Sequence, residues 1–214
     1  MDAERFLREL PELFDDYPRS EHPRDRRLAE VLDRLGGLAR ENNLALVNLA
    51  ASLVGPDEWH LECGSFTGAS LVAAMLGNEG GRFAAIDSFA MEGGSRALLE
   101  ANLRSFGLEP PEILEGDVLE LLQGDALVGR RVGACYWDLL HRYEPLLAGL
   151  RALERHLAPG ALVIVDDSDW DEVDRGLADD LAAEPCARRL LAIGGERHGQ
   201  PWWWEGMVVL VWDG

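Results

Sequence analysis

From residue 58 to residue 183 the chain keeps one rhythm, a strand-like apolar run followed by a helix-like run, repeated five times. WHLECG precedes TGASLVAAML, and GRFAAID precedes SRALLEANLRSF. A short strand within EPPEILEGD precedes VLELLQ, RVGACYWD precedes EPLLAGLRALERHL, and ALVIVDD precedes DWDEVDRGLADDLAA. Strands that alternate with helices predict a doubly wound, mostly parallel α/β sheet. FAAI and VIV are uninterrupted apolar runs, as strands covered on both faces require. The end of the chain breaks the rhythm. ARRLLAIGG and MVVLVWDG both read as strands, and the loop between them, with PWWWEG, has no room for a helix. They are expected to pair antiparallel as a hairpin at one edge of a seven-stranded sheet.

Residues 1–42 read as charged helical pieces broken by Pro11, Pro18 and Pro23, with Leu28, Val31, Leu32, Leu35 and Leu38 at helical spacing. They are expected to form a helical cap on the main domain, residues 43–214. That domain opens with the helical run NLALVNLAASLV, stopped by Gly55-Pro56.

Charge excludes several partners. The 39 acids outnumber the 20 bases, for a net charge of −19. Such a chain repels phosphate backbones and anionic lipid surfaces, so neither nucleic acid nor membrane is expected as a partner. All 20 bases are arginine. Without lysine there is no Schiff base, phosphate-loop lysine or lysine base, and arginine stays protonated. Cys63, Cys135 and Cys186 form neither a disulfide framework nor a zinc motif. MDAERFLREL lacks the look of a signal peptide, and no run of 18 apolar residues occurs. A soluble cytoplasmic protein is expected, and a homo-oligomer is compatible with that reading.

The turn LECGSFTGAS joins the first strand to its helix, at the sheet end where open α/β folds bind ligands. A dinucleotide fingerprint would carry glycine two positions before Gly64, where this chain has Glu62. A carboxylate there disfavours a pyrophosphate and suits a ligand with an amine. Asp87 ends the second strand, where an acid typically takes ribose hydroxyls. Glycine turn and acids together suggest an adenosyl ligand with an amino-acid tail. Glu62 and Asp87 could also be plain strand-end charges, and Asp117 the N-cap of the helix VLELL.

The ordered set E-x-G-x-x-x-G-x-S, strand-two Asp87 and Gly116-Asp117 after strand three resembles the class I S-adenosylmethionine-dependent methyltransferases. The likeness covers roughly residues 43–214 and implies a Rossmann-like seven-stranded sheet. It implies that Glu62, Gly64, Ser65, Phe66, Gly68 and Ser70 face the methionine part of the cofactor. Asp87 and Ser88 then hold the ribose, and Gly116 and Asp117 lie by the adenine.

Strand four ends at Asp138 and strand five at Asp166-Asp167. Neighbouring strands lie about 4.8 Å apart, so the three carboxylates converge. They would repel one another, and a divalent cation resolves the repulsion. Oxygen ligation points to Mg2+, with Mn2+ or Ca2+ as substitutes. Asp138, Asp166 and Asp167 match the ligand positions of metal-dependent O-methyltransferases of the catechol type, and Asp138 would also stand beside the cofactor. Asp138, His141 and Tyr143, with Pro159-Gly160 before the later acid pair, resemble a bacterial subgroup that methylates natural products and their sugars. Where catechol-type enzymes often place lysine, this chain has His141, a residue able to take a hydroxyl proton near neutral pH. His141 could instead be a surface histidine, and DDSDWDEVD a solvated acidic run in which Asp169 substitutes as a ligand. The family usually has small or acidic residues where Leu139 and Leu140 stand.

Trp170 and Trp202, Trp203 and Trp204 read either as an acceptor surface or as packing under the sheet edge or at an interface. His60 is expected to be buried and hydrogen-bonded, and His198 could line the entrance. The expected function is methylation of a hydroxyl on a small molecule with S-adenosylmethionine and Mg2+. A metal-independent methyltransferase and a non-catalytic adenosyl-binding protein remain as alternatives.

Overall fold

The computed structural model describes residues 2–139 and 141–214. Seven strands form among them: β1 (Trp59–Cys63), β2 (Phe83–Asp87), β3 (Glu112–Glu115), β4 (Val132–Trp137), β5 (Leu157–Asp166), β6 (Ala187–Ile193) and β7 (Met207–Trp212). Their order in the single sheet is β3-β2-β1-β4-β5-β7-β6. β1 to β5 pair in parallel, and β7 runs antiparallel between β5 and β6. The fold is the Rossmann-like α/β sheet that the strand and helix rhythm implies. β6, mostly exposed or half-buried, takes the edge, where unpaired backbone is tolerated.

The helices are α1 (Ala3–Glu9), α2 (Arg27–Leu35), α3 (Glu41–Ser52), α4 (Ala69–Met75), α5 (Arg96–Ser105), α6 (Val118–Gln123), α7 (Tyr143–Glu154) and α8 (Asp171–Ala183). None is long and apolar enough to cross a membrane among the described residues.

Alternate strand residues serve opposite faces, so two cores form. Ala134 and Tyr136 of β4, Leu162 and Ile164 of β5, and Met207, Val209 and Val211 of β7 join the core under α3, α4 and α5. Cys135, Trp137, Val163, Val165, Val208 and Leu210 join the core under α6, α7 and α8. Phe6, Leu10, Phe14, Leu28 and Val31 enter the first of these cores, so the N-terminal helices share it with the sheet. α3 begins at Glu41, two residues before the expected start of the main domain.

Two local readings change. The helix expected through residue 157 stops at Glu154, and β5 starts at Leu157 and takes in Pro159-Gly160. Pairing jumps from Val132 with Leu157 to Ala134 with Leu162, so the extra residues bulge out where Pro159 need not donate to the ladder. His60 is buried as expected, but neither ring nitrogen finds a hydrogen-bond partner among the described residues. Burial lowers its pKa to about 4, so it sits there neutral.

The hairpin loop is pinned to the N-terminal segment. Trp203, fully buried, packs its ring 5.5 Å from that of Phe14 and 6.2 Å from that of Tyr17. Its Nε1–H donates to the Pro18 carbonyl at 2.7 Å.

On the opposite face Gly149 of α7 admits the Trp137 indole, and a Cβ there would stand 2.2 Å from the ring. Indole and helix backbone are both held by the core, so neither can yield cheaply. Gly149→Ala is expected to cost about 1–3 kcal/mol of unfolding free energy by overpacking, read as a lower urea midpoint at unchanged slope.

Candidate active site

A cavity of about 570 Å³ opens along the carboxyl ends of the parallel strands. Its wall runs from Gly116 and Asp117 after β3, past Asp87 of β2 and the turn after β1, to Asp138 and His141 after β4. Asp167 and Trp170 after β5, then Trp204 and Glu205 before β7, complete it. Leu38 and Ala39, from the loop between α2 and α3, close the N-terminal side.

The strand ends are tied together there. Gly64 N–H donates to the Ile86 carbonyl at 2.9 Å, and Asp138 N–H to the Cys63 carbonyl at 2.9 Å. Gly64 has φ 92°, and a Cβ would stand 2.1 Å from the Asp138 carbonyl oxygen. Only glycine permits both the conformation and that approach.

Asp87 organises the turn. Its Oδ2 accepts the N–H groups of Ser65 and Phe66, both at 2.7 Å, and its Oδ1 accepts that of Phe89 at 2.6 Å. Phe66 (φ 44°) and Phe89 (φ 50°) are left-handed, a strained state for such side chains, and one carboxylate holds both. Asp87 therefore caps backbone and lines the cavity at once. Asp117 is likewise both, since its Oδ1 caps α6 through the N–H groups of Leu119 (2.9 Å) and Glu120 (3.0 Å) at the cavity wall. Ser88 and Gly116 line the same wall, and Gly68, in the left-handed region, forms the N-cap of α4.

Glu62 is fully buried, and neither carboxylate oxygen has a hydrogen-bond partner among the described residues. Burial lifts its pKa to about 8, against the pull of the Ser65 and Ser70 hydroxyls beside it. Asp138 and Asp87 push it the same way as burial. It is not the exposed strand-end charge that its position also allowed.

The acids after β4 and β5 divide. Asp138, His141 and Asp167 each offer a donor atom, all within 4.8 Å of one another. His141 Nε2 lies 3.4 Å from Asp138 Oδ1, and its Nδ1 lies 3.4 Å from Asp167 Oδ2. Burial draws the imidazole pKa down, but the Asp138 and Asp167 carboxylates prevail and hold it above its ordinary value. Burial in turn raises Asp167 to about 6, although His141 pulls the other way. Asp167 sits at φ 53°, and its Oδ1 has no hydrogen-bond partner among the described residues. Asp166 stands outside this cluster. It is buried, its Oδ2 accepting the Tyr136 hydroxyl at 2.5 Å and its Oδ1 the Asn43 amide at 3.4 Å. Burial and the charges of Asp138 and Asp167 push its pKa well up. Asp169 faces away from the cluster, accepting Gly195 N–H at 2.7 Å and pairing with His198 at 2.9 Å, so His198 serves the loop. Leu139 lines the cavity, whereas Leu140 lies outside the described residues.

The tryptophan run splits by residue. Trp203 packs inside, Trp204 and Trp170 line the cavity, and the His141 and Trp170 rings meet edge to face at 5.5 Å. Sequence reasoning passed over Asn43 and Tyr136. The signals are an asparagine that opens the helical run NLALVNLAASLV and a tyrosine two residues before Asp138.

Residues 61–168, just over half of the chain, match the family model described as a methyltransferase domain. No curated protein sequence matches the chain. Among solved structures, an O-methyltransferase from Bacillus cereus in complex with SAH aligns over 99% of this chain and 100% of its own, at 18% identity and a TM-score of 0.63. The O-methyltransferase TomG from Streptomyces achromogenes, involved in tomaymycin synthesis, aligns over 100% of both chains at 19% identity and a TM-score of 0.63. A TDP-rhamnose 3'-O-methyltransferase of calicheamicin biosynthesis aligns over 99% of this chain and 93% of its own, at 20% identity and a TM-score of 0.58. These likenesses bear on the fold, and the family match on the kind of protein: the chain belongs to the methyltransferase-domain family, as a class I S-adenosylmethionine-dependent methyltransferase.

Proposed function

We propose that the chain is a divalent-cation-dependent O-methyltransferase acting on a hydroxyl of a small molecule. The observation that carries this reading is the convergence of Asp138, His141 and Asp167 inside the cavity, beside the glycine turn. The similar structures that are O-methyltransferases support it.

S-adenosylmethionine supplies an electrophilic methyl group. The turn from Gly64 to Ser70 and the acids Asp87 and Asp117 line the part of the cavity that would receive it. Glu62, buried beneath the turn with both oxygens unpartnered, is suited to receive a cationic amine, which would satisfy it and draw out its proton.

The cluster also fits a metal. Two carboxylates converge beside an imidazole, and Asp167 Oδ1 is buried without a hydrogen-bond partner among the described residues. Mg2+ or Mn2+ matches that oxygen-rich donor set. Asp138 and Asp167 would hold the ion, which polarises a bound hydroxyl and lowers its pKa. Asp166 would support the site from behind, its carboxylate fixed by Tyr136 and Asn43. The same two acids raise the pKa of His141. Once they are engaged elsewhere, the imidazole returns towards its ordinary pKa and can take the acceptor proton. His141 would hold the hydroxyl proton as the acceptor oxygen took the methyl group and the sulfur kept the bonding electron pair.

Chelation with EDTA is expected to abolish methyl transfer to a diphenol acceptor, and Mg2+ to restore it. Full activity in the chelated protein would overturn the metal assignment. Asp138→Asn is expected to lose at least about a hundredfold in kcat/KM, since Lewis-acid stabilisation is worth several kcal/mol. His141→Ala is expected to lose about a hundredfold in kcat, read as methylated product over time.

Glu62 also sets a pH dependence. Its folded pKa of about 8 lies above its ordinary 4.5, so the folded state binds more protons between those values. Stability without ligand must therefore fall as pH rises through that window. Glu62→Gln removes this contribution. Its melting temperature relative to the parent should rise from pH 5.5 to pH 8, checked by thermal melts. A pH-independent difference would show that Glu62 titrates normally.

A further inference from the structure

We propose that Gly94 and Asn102, neither of which lines the cavity, are positioning residues for the cofactor: they hold the turn after β1 in its left-handed shape. The inference rests on the S-adenosylmethionine reading and adds two residues outside the motif that carries it.

The turn needs holding from outside. Phe66 sits at φ 44°, a conformation that persists in a bulky residue only where its surroundings enforce it. Ser65, Phe66 and Thr67 all line the cavity, so any drift of the turn changes the surface a cofactor would meet. Asp87 supplies part of the restraint by accepting the Ser65 and Phe66 N–H groups. Those bonds hold backbone and do not fix the Phe66 ring.

The segment from Gly93 to Asn102 supplies the rest. The Phe66 ring lies against Gly93 and Gly94, and a Cβ at Gly94 would stand 2.8 Å from Phe66 Cδ2 and 3.2 Å from its Cε2. Gly93 is left-handed at φ 92°, so its backbone already favours glycine. Gly94 is not left-handed, and the Met91 carbonyl, 3.5 Å from the same Cβ position, is at ordinary contact. What excludes a side chain at Gly94 is therefore the Phe66 ring. Immediately after it Ser95 caps α5, its Oγ accepting the Leu98 N–H at 3.2 Å. Leu99 and Asn102, three residues apart on one helix face, then reach back to the turn. Leu99 Cδ1 fills the place that a Cβ on Gly68 would need, and the Asn102 amide donates to the Thr67 carbonyl at 2.8 Å. The turn is thus clasped by Asp87 on one side and by a single continuous segment on the other.

Because the ring stands between Gly94 and the cavity, a methyl group at Gly94 would press it into the volume a cofactor needs. Removal of the Asn102 amide would release the Thr67 carbonyl.

S-adenosylhomocysteine titrated by calorimetry into the full chain and its variants tests this. Gly94→Ala is expected to bind it at least about fivefold more weakly than the parent. In a Phe66→Ala background the same change should cost less than about twofold, since no ring remains to be displaced. Asn102→Leu, similar in volume but without the donor, should also weaken binding at least about fivefold. Urea midpoints measured without ligand separate positioning from stability. A lowered midpoint with unchanged affinity would make the contacts merely structural and overturn the inference. Unchanged affinity in Gly94→Ala or in Asn102→Leu overturns it too, as does an equal cost of Gly94→Ala with and without the Phe66 ring. A parent that binds S-adenosylhomocysteine beside variants that bind it equally well sinks this inference alone. A parent that binds none sinks the cofactor reading and this inference with it.

Discussion

The reactive edge depends on the register of three parallel strands. Cys63 pairs with Trp137 and Ile86 with Cys63, so the ends of β1, β2 and β4 lie level. The Gly64 and Asp138 amides extend that ladder by one rung beyond the strands. Because register is level, side chains that leave the sheet at Glu62, Asp87 and Asp138 enter one small volume. A slip of one residue would turn each to the opposite face and replace the acids with core residues. Burial at this end of the sheet raises the pKa values of Glu62 and Asp167, and the Asp138 charge adds to both.

The helices at the start of the chain contribute more than cover. Asn43 of α3 reaches Asp166, and its amide also lies 3.5 Å from the Trp203 carbonyl. One buried side chain thus links a helix from the N-terminal part, the acid ending β5 and the hairpin loop that carries Trp204. Polar groups this deep tolerate little misplacement, since an unpaired one costs the full desolvation of the group. The loop before β7 and the acids after β5 are therefore held as one unit.

Much of the fold and part of the site were legible from sequence. Alternation of strand and helix is periodic and local, so the sheet class and the hairpin could be read directly. Glu62, Asp87, Asp117 and Asp138 could be placed at the sheet edge because strand ends are marked by the switch from apolar to acidic. What could not be read needed three dimensions. Asp166 and Asp167 are adjacent in sequence, but a left-handed backbone at Asp167 turns that carboxylate to His141 while Asp166 stays beneath with Tyr136. The tryptophan triplet likewise hides two opposed roles, because a turn at Trp204 (φ 52°) sends one ring inward and the next to the cavity. Pro159-Gly160 falls between the helix and the strand expected from sequence, yet β5 takes the pair in as a bulge, since the neighbouring strand, not local sequence, decides where pairing resumes.

The anchor of Trp203 on Pro18 has a consequence for how the cavity is closed. The cavity wall from Asp117 to Asp138 stands on β1 to β4, consecutive stretches that lie within residues 59–137. The wall at Trp204 needs the earliest segment and the latest loop together, since the neighbouring Trp203 packs on Phe14 and Tyr17 and donates to Pro18. One wall of the cavity thus closes among near neighbours in sequence, while the other closes only when the two ends of the chain meet, 185 residues apart.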